Sequence, residues 1–122
     1  MKKEATIFLN HIIDAIERIE NTLKGKNKEH FSDNVDIQDA TIRRIEVIGE
    51  AAKNIPEDFK KNYPLTPWKE IAGMRDRLIH QYFGVNLDRV WIVVEKELPS
   101  LKKQIKEILL AEEKKSKAVE KK

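Results

Sequence analysis

The stretch Ile42-Arg-Arg-Ile-Glu-Val-Ile-Gly-Glu-Ala-Ala-Lys-Asn-Ile55 carries the pattern that decides the fold of this chain. Its apolar and small residues recur every three or four positions, which places them on one face of an α-helix. They are Ile42, Ile45, Ile48, Gly49, Ala52 and Ile55. The small residues at 49, 51 and 52 would let another helix approach closely. N-cap candidates at positions 32–34 precede this helix, and Pro56 ends it.

The segment before this helix has the same periodicity. Its stripe consists of Ala5, Phe8, Ile12, Ile16, Ile19 and Leu23. This first helix is predicted to end near Gly25, and residues 24–28 are predicted to form a solvated loop.

Two more helices are predicted after Pro56, separated from it by a connector over residues 56–66 with one helical turn around Asp58. The third helix starts at Thr66-Pro67, a hydroxyl cap followed by proline, and ends at Gly84. The fourth starts after Asn86 and is kinked by Pro99. Its stripe consists of Leu87, Val90, Trp91, Val94, Leu98, Leu101, Ile105 and Ile108.

These helices predict an all-α fold, an antiparallel bundle of four to five helices with a kinked last helix. We find no internal repeat and no convincing strand. Residues 1–111 are predicted to form a single helical domain. Residues 112–122 lack a core pattern and are predicted to be a lysine-rich tail that frays.

Composition excludes several classes of function. The chain has 122 residues, 24 Lys and Arg, 21 Asp and Glu, and a net charge of +3. The tail alone has five Lys and three Glu, so residues 1–111 are nearly neutral and bulk charge indicates no particular partner.

The absence of Cys excludes disulfides, thiolate metal sites and a cysteine nucleophile. No apolar run approaches the roughly 20 residues of a membrane helix, and no signal-peptide core follows the start. We therefore expect a soluble cytoplasmic protein.

The candidate catalytic and binding residues lie in the third helix, within Trp68–Phe83. At roughly 100° per residue, Arg75 falls in the middle of an apolar stripe formed by Ile71, Leu78 and Tyr82. A guanidinium there needs a carboxylate or phosphate partner, because an unpaired buried charge is costly. His80 lies about 140° around the helix from Arg75. Asp76 is four residues before His80 and can pair with it.

Each of these residues also has an ordinary structural interpretation. Arg75 can bridge to Glu46 or Glu50 of the second helix. His80 can be a surface histidine paired with Asp76, and Tyr82 a core-edge aromatic with its hydroxyl in water. Arg77 is interpreted as a solvated surface residue. Neither His11 nor His30 has the spacing of a metal ligand. Spacing alone does not establish a catalytic site.

The geometry of a regular helix adds one constraint. Arg75 and His80 point in different directions, so one helix cannot easily aim both at one phosphate. A second copy related by a two-fold axis would bring both residues of both chains around a shared cleft, and Gly73 would allow the close approach. A homodimer is therefore predicted.

Together these residues resemble a known family. Arg75-Asp76-Arg77-Leu78-Ile79-His80-Gln81-Tyr82 fits the R-x-x-x-x-H-x-Y signature of the HEPN superfamily, specifically the HepT-like toxins. Further blocks that look like this group are Ile48–Lys53, Tyr63-Pro64, Pro67–Met74, Tyr82–Val85, Val90-Trp91 and Leu98-Pro99. The resemblance covers roughly residues 4–110.

The resemblance implies an all-α dimer that cleaves RNA without a metal or other cofactor, with Arg75 and His80 as the catalytic pair. It also implies a minimal nucleotidyltransferase partner, an antitoxin that transfers AMP to the signature tyrosine, here Tyr82. Whether dimers assemble further is left open. One position departs from the commonest form, where Asn follows the arginine. Asp76 stands there, and its carboxylate would either repel RNA phosphate or raise the charged fraction of His80.

Three hypotheses follow from the sequence. The leading one is an RNA-cleaving toxin. The second is a module that binds nucleotide or substrate for a nucleotidyltransferase without cleaving anything. The third is a plain helical oligomerisation protein, for which alanine at positions 75, 80 and 82 would change no activity.

Overall fold

Two long antiparallel helices, α1 (Lys2–Leu23) and α3 (Val35–Asn54), pack along each other, and the last helix, α8 (Leu98–Glu120), packs against α1. This computed structural model describes residues 2–80 and 84–120, without the side chains of residues 2, 79, 80, 119 and 120. Short elements connect the long helices: α2 (Lys28–Asp33), α4 (Glu57–Lys61), α5 (Trp68–Ala72), α6 (Met74–Leu78), β1 (Ile79–His80), β2 (Gly84–Val85) and α7 (Leu87–Ile92). A π-helical turn over Val93–Glu97 joins α7 to α8. The all-α fold with a kinked last helix is confirmed.

The apolar stripes predicted from the sequence form the core. Fully buried side chains come from all three long helices: Leu9, Ile12, Ile16 and Ile19 of α1, Ile45 and Ile48 of α3, and Leu98 and Ile105 of α8. Each buried side chain of this size stabilises the fold by about 1.5–3 kcal/mol relative to an exposed one. The periodicity of the sequence is therefore the direct cause of the packing of these helices.

Helix α2 was not predicted, because only one of its residues, Phe31, is strongly apolar. Phe31 is fully buried, and its ring centroid lies 5.5 Å from that of Trp91. The helix begins at a capping box, in which the Asn27 side chain accepts from the His30 N–H and His30 Nδ1 accepts from the Asn27 N–H. His30 is thus a capping residue. Asn34, one of the predicted caps, caps α3 through the N–H of Ile37 at 3.0 Å.

Gly49 sets the distance between α3 and α5. A Cβ at this position would lie 3.2 Å from the carbonyl oxygen of Ala72 and 3.6 Å from that of Ile71. The contact with Ala72 is tighter than an ordinary van der Waals contact, so a side chain at this position would require a small shift of α5. The predicted close approach at this small residue is confirmed. It sets the distance at which α5 packs on α3, and α6 follows directly after α5.

The π-helical turn accounts for the kink predicted at Pro99. Buried residues of the last helices are spaced by three or four, except that Val93 and Leu98 are five apart. The π turn, in which the Leu98 N–H donates to the Val93 carbonyl, absorbs the extra residue and keeps both on the core side. It ends where Pro99, which has no N–H, would interrupt an α-helical ladder.

The tail predicted to fray from residue 112 is helical in the structure, where α8 continues to Glu120. Glu112 is buried and accepts a hydrogen bond from the Tyr63 hydroxyl and one from Lys115 Nζ at 3.1 Å. Tyr63 in turn accepts, at its carbonyl, the indole N–H of Trp68 at 3.0 Å. This chain of bonds, which apolar periodicity does not reveal, links α8 to the start of α5.

Candidate functional site

The third helix, predicted to run from residue 66 to Gly84, is broken in the structure. Its first part, α5, begins at Trp68 with Pro67 as N-cap and no side-chain cap, so the predicted capping role of Thr66 is wrong. It ends at Gly73, the residue that tolerates a helix break at least cost because it is a poor helix former. A second short helix, α6, follows over Met74–Leu78.

A short hairpin replaces the predicted end of this helix. Ile79 pairs with Val85 and His80 with Gly84 in an antiparallel register, so the expectation of no strand is wrong at this point. The Leu78 carbonyl accepts from the Asn86 N–H at 3.0 Å, whereas a continuing helix would have given that acceptor to the residue four positions on. Gly84 has the predicted positive φ, 78°, but in the hairpin rather than at a helix end.

Arg75 lies on the surface rather than in an apolar stripe. The break at Gly73 turns Met74 and Leu78 of α6 into the core, and Arg75 is left with 49% of its side chain exposed. Its Nε lies 3.4 Å from Glu46 Oε2, one of the two carboxylates named from the sequence, and its Nη1 lies 3.5 Å from Asp76 Oδ1. The predicted burial is therefore wrong, and the ion pair with α3, which was the ordinary structural interpretation of Arg75, is present.

The other predicted site residues are described to different extents. Asp76 is exposed and lies beside Arg75. His80 is in β1, so the helical spacing from which its pairing with Asp76 was predicted does not apply, and its side chain is outside the described part. Tyr82 lies wholly outside the described residues. The backbone alone puts His80 two residues past the end of the helix that carries Arg75.

A small cleft of about 160 Å³ opens beside Arg75. Its walls come from α3, α5 and α6, and Gly49 and Ala72 provide its backbone-lined edge. The charged lining residues are Glu46, Glu50, Lys53, Arg75 and Asp76. Three carboxylates face two basic groups here, so Arg75 can bind an anion only by giving up one of its carboxylate partners.

A second arginine of α6 was not identified from the sequence as a site residue. Arg77 faces the opposite neighbour, with Nη2 3.5 Å from Glu97 Oε1 of the π-helical turn and 3.4 Å from the Glu70 carbonyl oxygen. It lines two adjoining clefts of about 260 and 210 Å³. The exposed arginines of α6 therefore flank that helix on its two sides, as expected for residues about 200° apart on an α-helix.

The described residues contain no group of three or more His, Cys, Asp or Glu side chains able to hold a metal ion. Within the same part of the chain, no helix is both long enough and apolar enough to cross a membrane.

An all-α bundle that exposes an arginine near the start of a short helix, four residues before a histidine-bearing hairpin begins, defines a class of helical proteins with a candidate anion site. A family model described as HepT-like ribonuclease matches residues 12–108, which include this whole segment. The chain belongs to the HepT-like ribonuclease family.

Curated relatives agree with this assignment. A Methanocaldococcus jannaschii protein named "Gamma-glutamylcyclotransferase and putative RNase" is 50% identical over 109 residues, which are 89% of this chain and 49% of that protein. A Caldanaerobacter subterraneus protein named "Putative RNase" is 47% identical and matched over 86% of this chain and 94% of its own length. A Thermococcus cleftensis protein named "Probable ribonuclease HepT" is 47% identical, with 84% and 93% covered. This chain thus spans about half of the first relative. No solved structure matches the chain significantly.

Proposed function

We propose that the protein is a metal-independent ribonuclease that cleaves RNA at a composite site of Arg75 and His80 in a homodimer. The observation that carries the proposal is the half-exposed position of Arg75 on a cleft. The family match includes it, and it is half exposed on a cleft with only loose ion pairs at 3.4 and 3.5 Å. The names of the relatives, which are ribonucleases by description, support the same reaction class.

The reaction needs little from the protein beyond proton transfer and positive charge. RNA carries its own nucleophile, the 2′-hydroxyl, next to the scissile phosphate, so proximity is supplied by the substrate. One histidine would take the proton of the 2′-hydroxyl while another protonates the departing 5′-oxygen, giving a 2′,3′-cyclic phosphate and a free 5′-hydroxyl. A histidine with an ordinary pKa of about 6.5 can serve in either role at neutral pH.

Arg75 would stabilise the charge that develops on the phosphate oxygens. An arginine can bind phosphate through two parallel N–H···O bonds, and such charge-assisted bonds are roughly twice as strong as neutral ones. Exposed ion pairs like those with Glu46 and Asp76 contribute about 0–1 kcal/mol, so exchanging one of them for a phosphate costs little. Asp76, which pairs with Arg75, would then modulate how strongly Arg75 binds phosphate rather than contact the RNA directly.

The homodimer supplies the second histidine. Each chain has one signature segment, and acid–base cleavage needs two proton-transfer groups, so a two-fold axis near α6 completes the site. Light scattering should therefore give a mass of two chains for the active protein.

RNA cleavage by purified protein tests the proposal. Wild type should cleave single-stranded RNA in the presence of EDTA, and Arg75→Ala and His80→Ala should each lose at least 100-fold in rate. Arg18→Ala is the matched control, since Arg18 is a surface arginine paired with Asp14 on α1 and should leave the rate unchanged. Equal cleavage by wild type and either site variant would refute the site. Binding of ATP or a nucleotidyltransferase without any cleavage would favour the non-catalytic binding module instead.

We further propose that the protein is the toxin of a toxin–antitoxin pair and that a minimal nucleotidyltransferase antitoxin inactivates it by transferring AMP to Tyr82. The tyrosine oxygen would attack the α-phosphorus of ATP and release pyrophosphate. AMP adds a bulky anion two residues from His80, which would exclude RNA phosphate by size and by charge. Mass spectrometry after co-expression with the partner should place AMP on Tyr82, and Tyr82→Phe should stay unmodified. AMP found only at other positions would refute this step.

A further inference from the structure

A cleft between α6, α7 and the π-helical turn combines an apolar floor with two arginines. We call it the arginine cleft. It has a volume of about 210 Å³ and is lined by Arg77, Leu78, Arg89, Ile92, Val93 and Glu97. Leu78 and Val93 are buried and form its floor, whereas Ile92 is 49% exposed. Two of its lining residues, Val93 and Glu97, belong to a π-helical turn, a geometry that is frequent at functional sites.

The charges of the arginine cleft favour an anion. Arg77 is balanced by Glu97 at 3.5 Å. Arg89 is exposed, and within the described part of the chain its guanidinium makes no hydrogen bond or ion pair. Among the described residues, one positive charge is therefore unmatched beside exposed apolar surface, a combination that suits a ligand with a flat apolar part and a negative group.

The arginine cleft adjoins the signature segment. Leu78, part of its floor, is the last residue of α6, and His80 follows two positions later in β1. Asn86, which caps α7 by accepting from the Arg89 N–H at 3.2 Å, also donates its own N–H to the Leu78 carbonyl. These bonds hold the start of α7, and with it Arg89, against the end of α6.

We propose that the arginine cleft binds a nucleotide of single-stranded RNA that flanks the cleaved bond, with its base on Ile92 and its phosphate on Arg89. The inference rests on the proposed ribonuclease function and adds where the strand runs. Nucleobases stack on arginine planes and on apolar side chains, and phosphates pair with the guanidinium. The cleft is smaller than the roughly 300 Å³ of an ordinary small-molecule pocket, which suits one base of a strand better than a free ligand.

Fluorescence anisotropy with a labelled single-stranded RNA tests this, in a His80→Ala background so that binding is measured without cleavage. Arg89→Ala and Ile92→Ser should each weaken binding about 5- to 100-fold, in line with the loss of one stacked base. Arg89→Ala should also lower the slope of log Kd against log salt by about 1, because one phosphate contact is lost. Arg89→Lys should keep the salt slope, because the positive charge that meets the phosphate is retained, and should weaken binding less than Arg89→Ala.

Arg43→Ala is the matched control. Arg43 is an exposed arginine of α3 that also has no ion pair among the described residues, so the change in net charge is the same. If Arg89→Ala binds RNA no worse than Arg43→Ala, the inference is wrong. It is also wrong if size-exclusion chromatography shows that Arg89→Ala and Ile92→Ser dissociate the dimer, since the cleft would then be an interface between copies.

The two proposals can fail separately. If wild type cleaves RNA and the Arg89 variants bind and cleave normally, the ribonuclease assignment stands and the arginine cleft falls. If wild type never cleaves RNA but binds it in an Arg89-dependent way, the cleft stands and catalysis falls. Circular dichroism of each variant should match wild type, because Arg89 is exposed and the Ile92 side chain is 49% exposed.

Discussion

The long helices α1, α3 and α8 and the short segment from α5 to α7 follow different structural logic. In the long helices, buried residues recur every three or four positions and meet in one core. In the short segment, helices of five or six residues are interrupted by Gly73 and by a hairpin of two-residue strands. The arginines of this segment stay on the surface. The comparison shows that a rigid scaffold supports a segment whose own local preferences are weak, which is where binding residues are usually placed.

The largest effect should come from the scaffold. Ile48 is fully buried in α3, so Ile48→Ala should lower the free energy of unfolding by about 2–5 kcal/mol, through lost burial and a residual cavity. Urea denaturation measures it. Ile7→Ala is the control, since Ile7 of α1 is 51% exposed and should cost far less. Similar losses for both variants would contradict the division into scaffold and surface.

Gly49→Ala should connect the two regions. Alanine favours a helix over glycine by about 1 kcal/mol, but its Cβ would lie 3.2 Å from the Ala72 carbonyl oxygen and push α5 outward. We expect a net loss of about 1 kcal/mol and a fall in RNA cleavage, because α6 follows α5. Asp39→Ala, at an exposed position of α3 away from the cleft, should change neither. A variant more stable than wild type would show that α5 yields without cost.

Arg75→Ala should do the reverse of a core substitution. Its exposed ion pairs at 3.4 and 3.5 Å predict a change in the free energy of unfolding of less than about 1 kcal/mol, while the proposed activity is lost. Thermal melting measured beside the cleavage assay separates the two effects. A large loss of stability would make Arg75 part of the scaffold and remove the distinction drawn above.

The smallest effect should appear at alkaline pH, where α8 meets the connector before α5. Burial raises the pKa of Tyr63 above 10, and the hydrogen bond to Glu112 and the charge of that carboxylate raise it further, while Lys115 acts in the opposite direction. The hydrogen bond to Glu112 also raises the pKa of Lys115. The native state then holds more protons than the unfolded state above about pH 10, so stability is complete below that pH and falls as pH rises.

Absorbance titration checks this assignment. Tyr63 and Tyr82 are the two tyrosines of the chain, and Tyr63→Phe should remove the phenol whose pKa is raised. Thermal melts between pH 8 and 11 should show wild type losing stability more steeply than Tyr63→Phe. Identical curves would mean that the contact between α8 and the connector is not linked to folding.

Most of the scaffold could be predicted because its signal is long and repeated. Stripes of six to eight apolar residues specify α1 and the last helices, and Asn34, Pro56 and Asn86 mark helix ends by local chemistry. Helix α2 escaped because one phenylalanine makes no period. The burial of Glu112 escaped because its partner, Tyr63, is 49 residues away in the sequence.

Less of the candidate site could be predicted, because it depends on where a helix stops. The motif located Arg75, and Glu46 was one of two carboxylates expected to meet it. The continuous helix placed Arg75 in the core, whereas the break at Gly73 puts it on the surface. The arginine cleft depends on α6, α7 and the π-helical turn meeting in space, so Arg89 and Ile92 carried no sequence signal.

The π-helical turn has a consequence for the length of the chain. A one-residue deletion within positions 94–97 would leave Val93 and Leu98 four apart, so an ordinary α-helix would keep both on the core side. The same deletion would press the Pro99 ring against the carbonyl four residues before it, at a cost of about 3 kcal/mol. Deletion combined with Pro99→Ala should therefore be tolerated where deletion alone is not. The extra residue of the π-helical turn is thus what makes a proline acceptable at the start of α8.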